Sequence, residues 1–287
     1  MPNREDPRPI LLIPDIHQND RFLASVLERH PPESLAEIIL LGDLLDARSD
    51  AFKTADALAG VLRQLHEIRE EERCTVTQLL GNHDWDYLQM WPLVERSVTG
   101  KLSDVAVEFS IYALSLCTAG ALMEPADVNL PYTPEDDDLL WPLAWWKEAR
   151  LGVFRRGYLI SHAGLHPDHL PADLERSGSS VESYLNMQLG EAWKRLEGGG
   201  AASETSPLLR AGRARGGELA RGGPLWLDWK HEFEDALPFP QIVGHTPDAR
   251  PRRSGRSWCL DCAQTHAALL HADGRLEPFK APWTGHD

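Results

Sequence analysis

No stretch constrains this chain more than residues 40–46, Leu-Leu-Gly-Asp-Leu-Leu-Asp. The apolar run Ile38-Ile39-Leu40-Leu41 is short, unbroken and closed by a glycine, which is the pattern of a buried strand. Asp43 follows at once, and Asp46 three residues later. Such a strand carries its carboxylate to the sheet's carboxyl edge, where open α/β sheets place their chemistry. Four other apolar runs stop in the same way, at Asp15 and His17, at Asn82 and His83, at His162, and at His245.

Helical periods separate these strands. Ile10-Leu11-Leu12-Ile13 is a first strand. Phe22, Leu23, Val26 and Leu27 give residues 20–30 the spacing of a helix. Residues 37–41 form the second strand. Residues 51–72 form a helix with Leu58, Val61, Leu62 and Leu65 on one side, and 75–80 a third strand. Strand–helix–strand–helix–strand predicts a parallel sheet with right-handed crossovers. Residues 157–160 and 242–243 are further strands, and 181–196 an amphipathic helix. Runs at 258–260, 267–271 and 276–279 predict a closing antiparallel set, with Asp273-Gly274 as hairpin turn.

The rest is less regular. Residues 86–150 are expected to be a partly covering helical segment. Within it, 86–123 are helices on or beside the site, 124–138 a Pro- and Asp-rich loop, and 139–150 a helix with Trp141, Trp145 and Trp146. Residues 197–223 are expected to be a flexible loop rich in Gly, Ala, Ser and Arg, holding Arg210, Arg213, Arg215 and Arg221. One domain is expected over residues 1–287.

Charge excludes some partners. The chain has 44 acidic and 29 basic residues, a net charge of -15. Duplex nucleic acid and anionic membranes both need a basic footprint, so neither is expected as a partner. Residues 1–9 carry no apolar run of a signal peptide, and the apolar window 105–123 is expected to be buried, not membrane-spanning. Cys74, Cys117, Cys259 and Cys262 make no disulfide framework, so a reducing cytoplasm is the expected compartment. Cys259 and Cys262 have CxxC spacing but no second pair, and are expected to be buried thiols.

Imidazoles, carboxylates and an amide oxygen on one sheet edge make a ligand set for first-row metals, with no thiolate among them. The candidates are too many for one catalytic ion that also keeps open positions. Two ions sharing a carboxylate fit the count, and such a pair activates water and stabilises an in-line displacement at phosphorus.

The ordered series Asp15-x-His17, Gly42-Asp43-x-x-Asp46, Gly81-Asn82-His83-Asp84, His162-Ala163-Gly164 and Gly244-His245-Thr246 resembles the calcineurin-like metallophosphoesterase superfamily. The phosphoprotein phosphatase branch, which includes the symmetrical diadenosine tetraphosphatases, is the most similar part. A single His in Gly244-His245-Thr246-Pro247, the segment Leu225-Trp226-Leu227-Asp228, and Leu260-Asp261 at a closing strand carry that likeness. The resemblance implies an α/β fold, a four-layer α/β/β/α sandwich of two mixed sheets. It implies that Asp15 and His17 hold one metal, that Asn82, His162 and His245 hold a second, and that Asp43 bridges them. His83 would bind phosphate and protonate the leaving alkoxide, and Asp46 would orient it. The ions would be divalent or trivalent, manganese ahead of iron, zinc, nickel or cobalt.

The sequence departs from the relatives' pattern at the phosphate clamp. Pro14 and Gln18 stand where relatives usually carry Gly. Ala47 stands where many carry Arg, with Arg48 one residue late. The clamp is expected from Arg48, through a local loop change, or from Arg213 or Arg221 of the Arg-rich loop, because the guanidinium fork grips phosphate oxygens in pairs. The expected activity is metal-dependent hydrolysis of a phosphoester by a hydroxide held between two ions. The leading substrate is a phosphomonoester, such as phosphoserine or phosphothreonine in proteins. A symmetrical dinucleoside polyphosphate is the alternative, and a non-catalytic phosphate-binding scaffold stands behind both.

Overall fold

The computed structural model describes residues 6–86, 88–89, 146–198 and 206–283. Strands β1 (Ile10–Ile13), β2 (Glu37–Leu40) and β3 (Thr75–Gln78) pair in parallel, with Ile10 opposite Glu37 and Ile38 opposite Val76. Helices α1 (Asp20–Arg29) and α2 (Ala55–Glu70) make the crossovers. Both start at side-chain caps that occupy a free backbone N–H: Asn19 accepts from Phe22, and Thr54 from Ala57.

The second sheet begins with β4 (Val153–Arg155) and β5 (Tyr158–Ile160), a hairpin turned at Arg156 and Gly157, both with positive φ. Helix α3 (Gly178–Glu197) follows. Next come β6 (Gln241–Val243), β7 (Arg252–Ser254) and β8 (Ser257–Cys259). The chain then returns to the first sheet as the hairpin β9 (His266–Leu270) and β10 (Leu276–Lys280). The orders are β10-β9-β1-β2-β3 and β4-β5-β6-β8-β7, and both sheets are mixed.

Side-chain alternation stacks the layers. Leu11, Ile13, Ile38 and Leu40 pack with Phe22, Leu23 and Val26 of α1 and Leu58, Val61 and Leu65 of α2. Ile10, Leu12, Ile39 and Leu41 face the other way, against Val153, Ile160 and Ile242 of the second sheet. Leu159 points out of that sheet into the cluster that holds Val181, Leu185 and Leu189 of α3. The result is the α/β/β/α sandwich, with period-two burial doing the sorting.

Two expectations change. Residues 258–260 do not join the closing antiparallel set: Trp258 lies opposite Ile242 in a parallel pairing with β6, in the other sheet. Strand β7 was not foreseen, because Arg-Arg-Ser has no apolar residue to mark it. The described part of the Arg-rich loop, residues 206–223, is built of turns. Pro207–Leu209 and Arg213–Arg215 are 3-10 turns, with Leu208 and Leu209 buried. Expectations for 90–145 and 199–205 lie outside the described residues. Among the described residues no helix is long and apolar enough to cross a membrane.

Candidate metal centre

Five strands bring their carboxyl ends to one edge, and each sequence-predicted ligand sits just beyond one of them. Asp15 and His17 follow β1, Asp43 follows β2, Asn82 and His83 follow β3, His162 follows β5, and His245 follows β6. The turns that aim these groups are unusual. Asp15, His17, Asp43, Asp46 and His245 all have left-handed backbone, with φ of 31, 47, 52, 65 and 68°. Side chains rarely adopt it, at about 1–3 kcal/mol each, and surrounding packing must hold them there. Gln18, at φ 62°, also occupies the left-handed region that suits Gly best. The packing is tight at Gly81, where an added Cβ would lie 2.1 Å from Asp43 Oδ1.

The ligand atoms converge in two groups that share Asp43. Asp15, His17 and Asp43 offer atoms within 4.8 Å of one another, and so do Asp43, His162 and His245. All five are buried. His17 Nε2 is 3.6 Å and His162 Nε2 3.5 Å from Asp43 Oδ2. Asn82 Oδ1 joins the second group, 3.0 Å from His162 Nε2, with His245 Nδ1 3.1 Å from the same nitrogen.

This arrangement fits cations. Burial holds His17 and His245 well below the ordinary imidazole value, and His162 down to about 3, so all three are neutral. His162 gives its one N–H to the Leu41 carbonyl at 2.8 Å, and His17 gives its Nδ1–H to the Asp46 carbonyl at 2.8 Å. Each Nε2 therefore carries a lone pair and no proton. At His162 it faces another acceptor, Asn82 Oδ1, with no proton between them. His17 Nε2 and Asp43 Oδ2 are buried without a hydrogen-bond partner. Burial also pushes Asp43 up to about 8, and burial with the charges of Asp261 and Asp43 pushes Asp15 well above its ordinary value. Acceptors crowded in the dark need positive charge, and carboxylate–imidazole–amide sets suit first-row divalent ions. Backbone carbonyls that orient the far side of each imidazole are the usual supports of metal-binding histidines.

His83 is turned differently. Its backbone N–H donates to Asp43 Oδ1 at 3.0 Å, while its ring lies partly exposed, with Nδ1 2.5 Å from Asp46 Oδ2. Burial alone would lower this imidazole, but the Asp46 hydrogen bond and the Asp43 charge outweigh it and raise it. Asp84, fully buried, accepts from the N–H groups of Leu44, Leu45 and Gly81. It ties the loops after β2 and β3 together.

The arginines divide. Arg48 reaches the site despite its shift in sequence: its guanidinium is 3.4 Å from Asp261 Oδ2 and 3.8 Å from Asp15 Oδ1. Arg221 does not, because it pairs with Asp168 at 3.1 Å and with Glu234. Arg213 is exposed on its turn and has no ion pair among the described residues. The arginine missed from sequence is Arg215. Its Nε is 2.9 Å from Asp228 Oδ2, and it donates to Thr246 Oγ1 at 2.9 Å, beside His245. Its charge contributes to lowering His162 and His245 after burial. Four arginines within twelve residues gave no basis for choosing it. The signal was its two anchors, which lie in Leu225-Trp226-Leu227-Asp228 and Gly244-His245-Thr246.

Two acid–imidazole clusters on the edge of an α/β/β/α sandwich define a metal-dependent hydrolase. The calcineurin-like phosphoesterase model matches residues 8–191, well over half of the sequence, and the chain belongs to that family. It is a metallophosphoesterase, an enzyme of phosphoester hydrolysis. Among solved structures it is similar to a Ser/Thr phosphatase from Saccharomyces cerevisiae with similarity to human phosphatase PP5. That match has 13% identity and a TM-score of 0.47 and covers 99% of this chain and 83% of that one. A metallophosphoesterase from Sphaerobacter thermophilus matches at 13% identity and TM-score 0.41, over 97% and 90% of the two chains. The phosphatase domain of the Legionella effector WipB matches at 16% and 0.42, over 67% and 82%. No curated protein matches the chain.

Proposed function

We propose that this metallophosphoesterase hydrolyses phosphomonoesters, with phosphoserine and phosphothreonine in proteins as the leading class. The observation that carries the reading is the His83–Asp46 pair standing beside two clusters of buried acceptors, in which His17 Nε2 and Asp43 Oδ2 have no hydrogen-bond partner. Asp15, His17 and Asp43 would hold one ion, and Asp43, Asn82, His162 and His245 the other. Manganese suits this thiolate-free set. When bound, such ions activate water and neutralise charge at phosphorus.

The protein's own groups do the rest. Asp46 accepts from His83 Nδ1, which leaves the imidazolium Nε2–H to the leaving oxygen. As the phosphorus–oxygen bond breaks, that proton passes to the alkoxide, and Asp46 steadies the charged acid until then. Arg48, on the Asp15 side, and Arg215, on the His245 side, bind non-bridging oxygens in pairs. A terminal phosphate has three such oxygens and up to two charges, and two flanking guanidiniums suit it better than a singly charged diester. Dinucleoside polyphosphate cleavage is the second reading.

A hydrolysis panel tests the choice. With manganese, phosphopeptides and small phosphomonoesters should release phosphate faster than diadenosine tetraphosphate yields ADP. The reverse order selects the second reading. No turnover of any substrate with manganese, iron, zinc, nickel or cobalt would leave a phosphate-binding scaffold.

A further inference from the structure

The run Arg250, Arg252, Arg253 and Arg256 flanks the last histidine motif, and the hydrolytic site uses none of it. Three of the four are committed elsewhere. Arg252 donates to the Thr246 carbonyl and to Cys259 Sγ. Arg253 bonds the Gly255 carbonyl at 2.9 Å and lies over the Trp258 ring, 5.6 Å from its centre. Arg256 is held by Asp235 and by the carbonyls of Leu237 and Pro238. Arg250 is left, exposed and without a partner among the described residues.

Arg250 lines a cleft of about 660 Å³. The cleft lies where the two sheets part, at the edges formed by β7–β8 and β9–β10. Alternation explains its contents. Leu276, Ala268 and Leu270 face the inter-sheet core, so Pro278, Lys280 and His266, in step with them, face the same gap where it opens to solvent. Lys280 is exposed, and its ammonium has no partner among the described residues. The Lys280 and Arg250 charges both act on His266, which burial first and then these two cations lower from its ordinary value. Trp258, half-buried, forms part of the wall, and no carboxylate lines the cleft among the described residues. On a chain of net charge -15, two cations, Arg250 and Lys280, gathered without an acid among the described residues are a local reversal of sign.

We propose that this cleft binds a nucleotide-like organic phosphate, its anionic end between Arg250, Lys280 and His266 and its planar ring on the apolar wall of Trp258 and Pro278. The physical reasons are two. A concave site with low-dielectric walls focuses the field of its cations, so an anion is drawn there more strongly than to the same charges on open surface. A bare inorganic anion would leave the apolar wall wet, whereas a ring stacked on an indole covers it; such stacking is worth about 1–3 kcal/mol per base in single-strand complexes. The cleft volume lies within the roughly 300–1,000 Å³ of small-molecule sites. Thr265 lines it next to Gln264, which donates to the Asp15 carbonyl at 3.3 Å, so the cleft adjoins the metal centre without sharing its ligands. The inference does not depend on the phosphomonoesterase reading.

The test is isothermal titration of the full chain, in excess chelator, with ADP, adenosine and inorganic phosphate. Chelator removes metal-mediated binding, so the result is independent of turnover. ADP should bind at one saturable site, about tenfold or more tighter than adenosine or phosphate alone. Arg250→Glu with Lys280→Glu should weaken ADP by about tenfold or more while thermal melting stays unchanged. Arg250→Gln with Lys280→Gln is read in the same way should charge reversal impair folding. No saturable ADP binding, or ADP binding untouched in these variants, overturns the proposal. Phosphate binding as tightly as ADP overturns the ring contact.

Discussion

His83 and Asp46 follow two different strands, yet Nδ1 of one lies 2.5 Å from Oδ2 of the other. The contact needs Asp46 at φ 65° and needs Asp84 to hold the two loops together through Leu44, Leu45 and Gly81. Short charge-assisted bonds of this kind favour the protonated imidazole. The pair thus sets a protonated imidazole beside the candidate metal ligands, fixed by the same turns that place Asp43.

Replacing His83 by Ala should therefore leave the metal content of the protein intact and cut kcat by about 10²–10⁴-fold. Asp46→Asn keeps the ring but loses the charge behind it, and should cost less, roughly 10–100-fold. Metal analysis beside steady-state kinetics checks both. If His83→Ala loses metal, its ring is a ligand and the acid must be sought elsewhere.

Asp43 makes a prediction with a change of sign. Without metal its buried Oδ2 has no partner, and burial disfavours its charge. Asp43→Asn removes that charge and offers an N–H to the imidazoles of His17 and His162. In chelator the variant should melt above the wild type, by about 2–4 °C per kcal/mol relieved. With manganese the order should reverse, because the wild type gains the binding energy of its ions. A variant less stable under both conditions would show that Asp43 is a packing residue.

The arginines separate binding from surface charge. Arg215→Ala and Arg48→Ala should each lower kcat/KM by about 10–100-fold, the effect of one lost charged contact of roughly 1.5–3 kcal/mol. Arg221→Ala should change it less than twofold, since its partners Asp168 and Glu234 are at the surface. Equal effects for Arg215 and Arg221 would remove Arg215 from the site.

These residues also mark how far the sequence could be read. The candidate ligands were legible because each follows a strand, and the parallel pairs β1–β2–β3 and β5–β6 each carry their carboxyl ends to the same side. Asp43 could be singled out because a run of buried residues can end only at that edge. Arg215 and Arg221 could not be told apart, because their placement depends on partners at Asp228, Thr246, Asp168 and Glu234, all of which lie 13 or more residues away. The sheet membership of Trp258 was hidden for a similar reason. Its own run looks like any short strand, and only pairing with Ile242 decides which sheet it joins.

Backbone spacing gives a further prediction at Gly81. A Cβ there would lie 2.1 Å from Asp43 Oδ1 and 2.2 Å from Asp43 N, closer than any side chain tolerates. Both neighbours belong to a residue already held at φ 52°, so relief must come from moving Asp43 itself. Gly81→Ala should lose metal and activity together. Full metal occupancy in that variant would mean the loop after β3 yields instead.

Away from the site, Asp235 pins the turn between β7 and β8. Its Oδ2 accepts from the Arg256 backbone N–H at 2.7 Å and its Oδ1 from Ser257 Oγ at 2.8 Å. Burial raises this carboxyl, but those bonds and the Arg256 charge outweigh it and hold it below its ordinary value. A depressed folded-state value means that the stabilisation is complete above the unfolded carboxyl value and fades as pH falls through the folded one. Asp235→Asn should therefore cost about 1–3 kcal/mol at pH 7, and the gap to wild type should close progressively below about pH 4. Urea denaturation in chelator at several pH values measures it, with the metal ligands unoccupied in both proteins. A gap that stays constant into acid would mean that the Asn amide disrupts the turn by shape, and that the carboxylate charge contributes nothing.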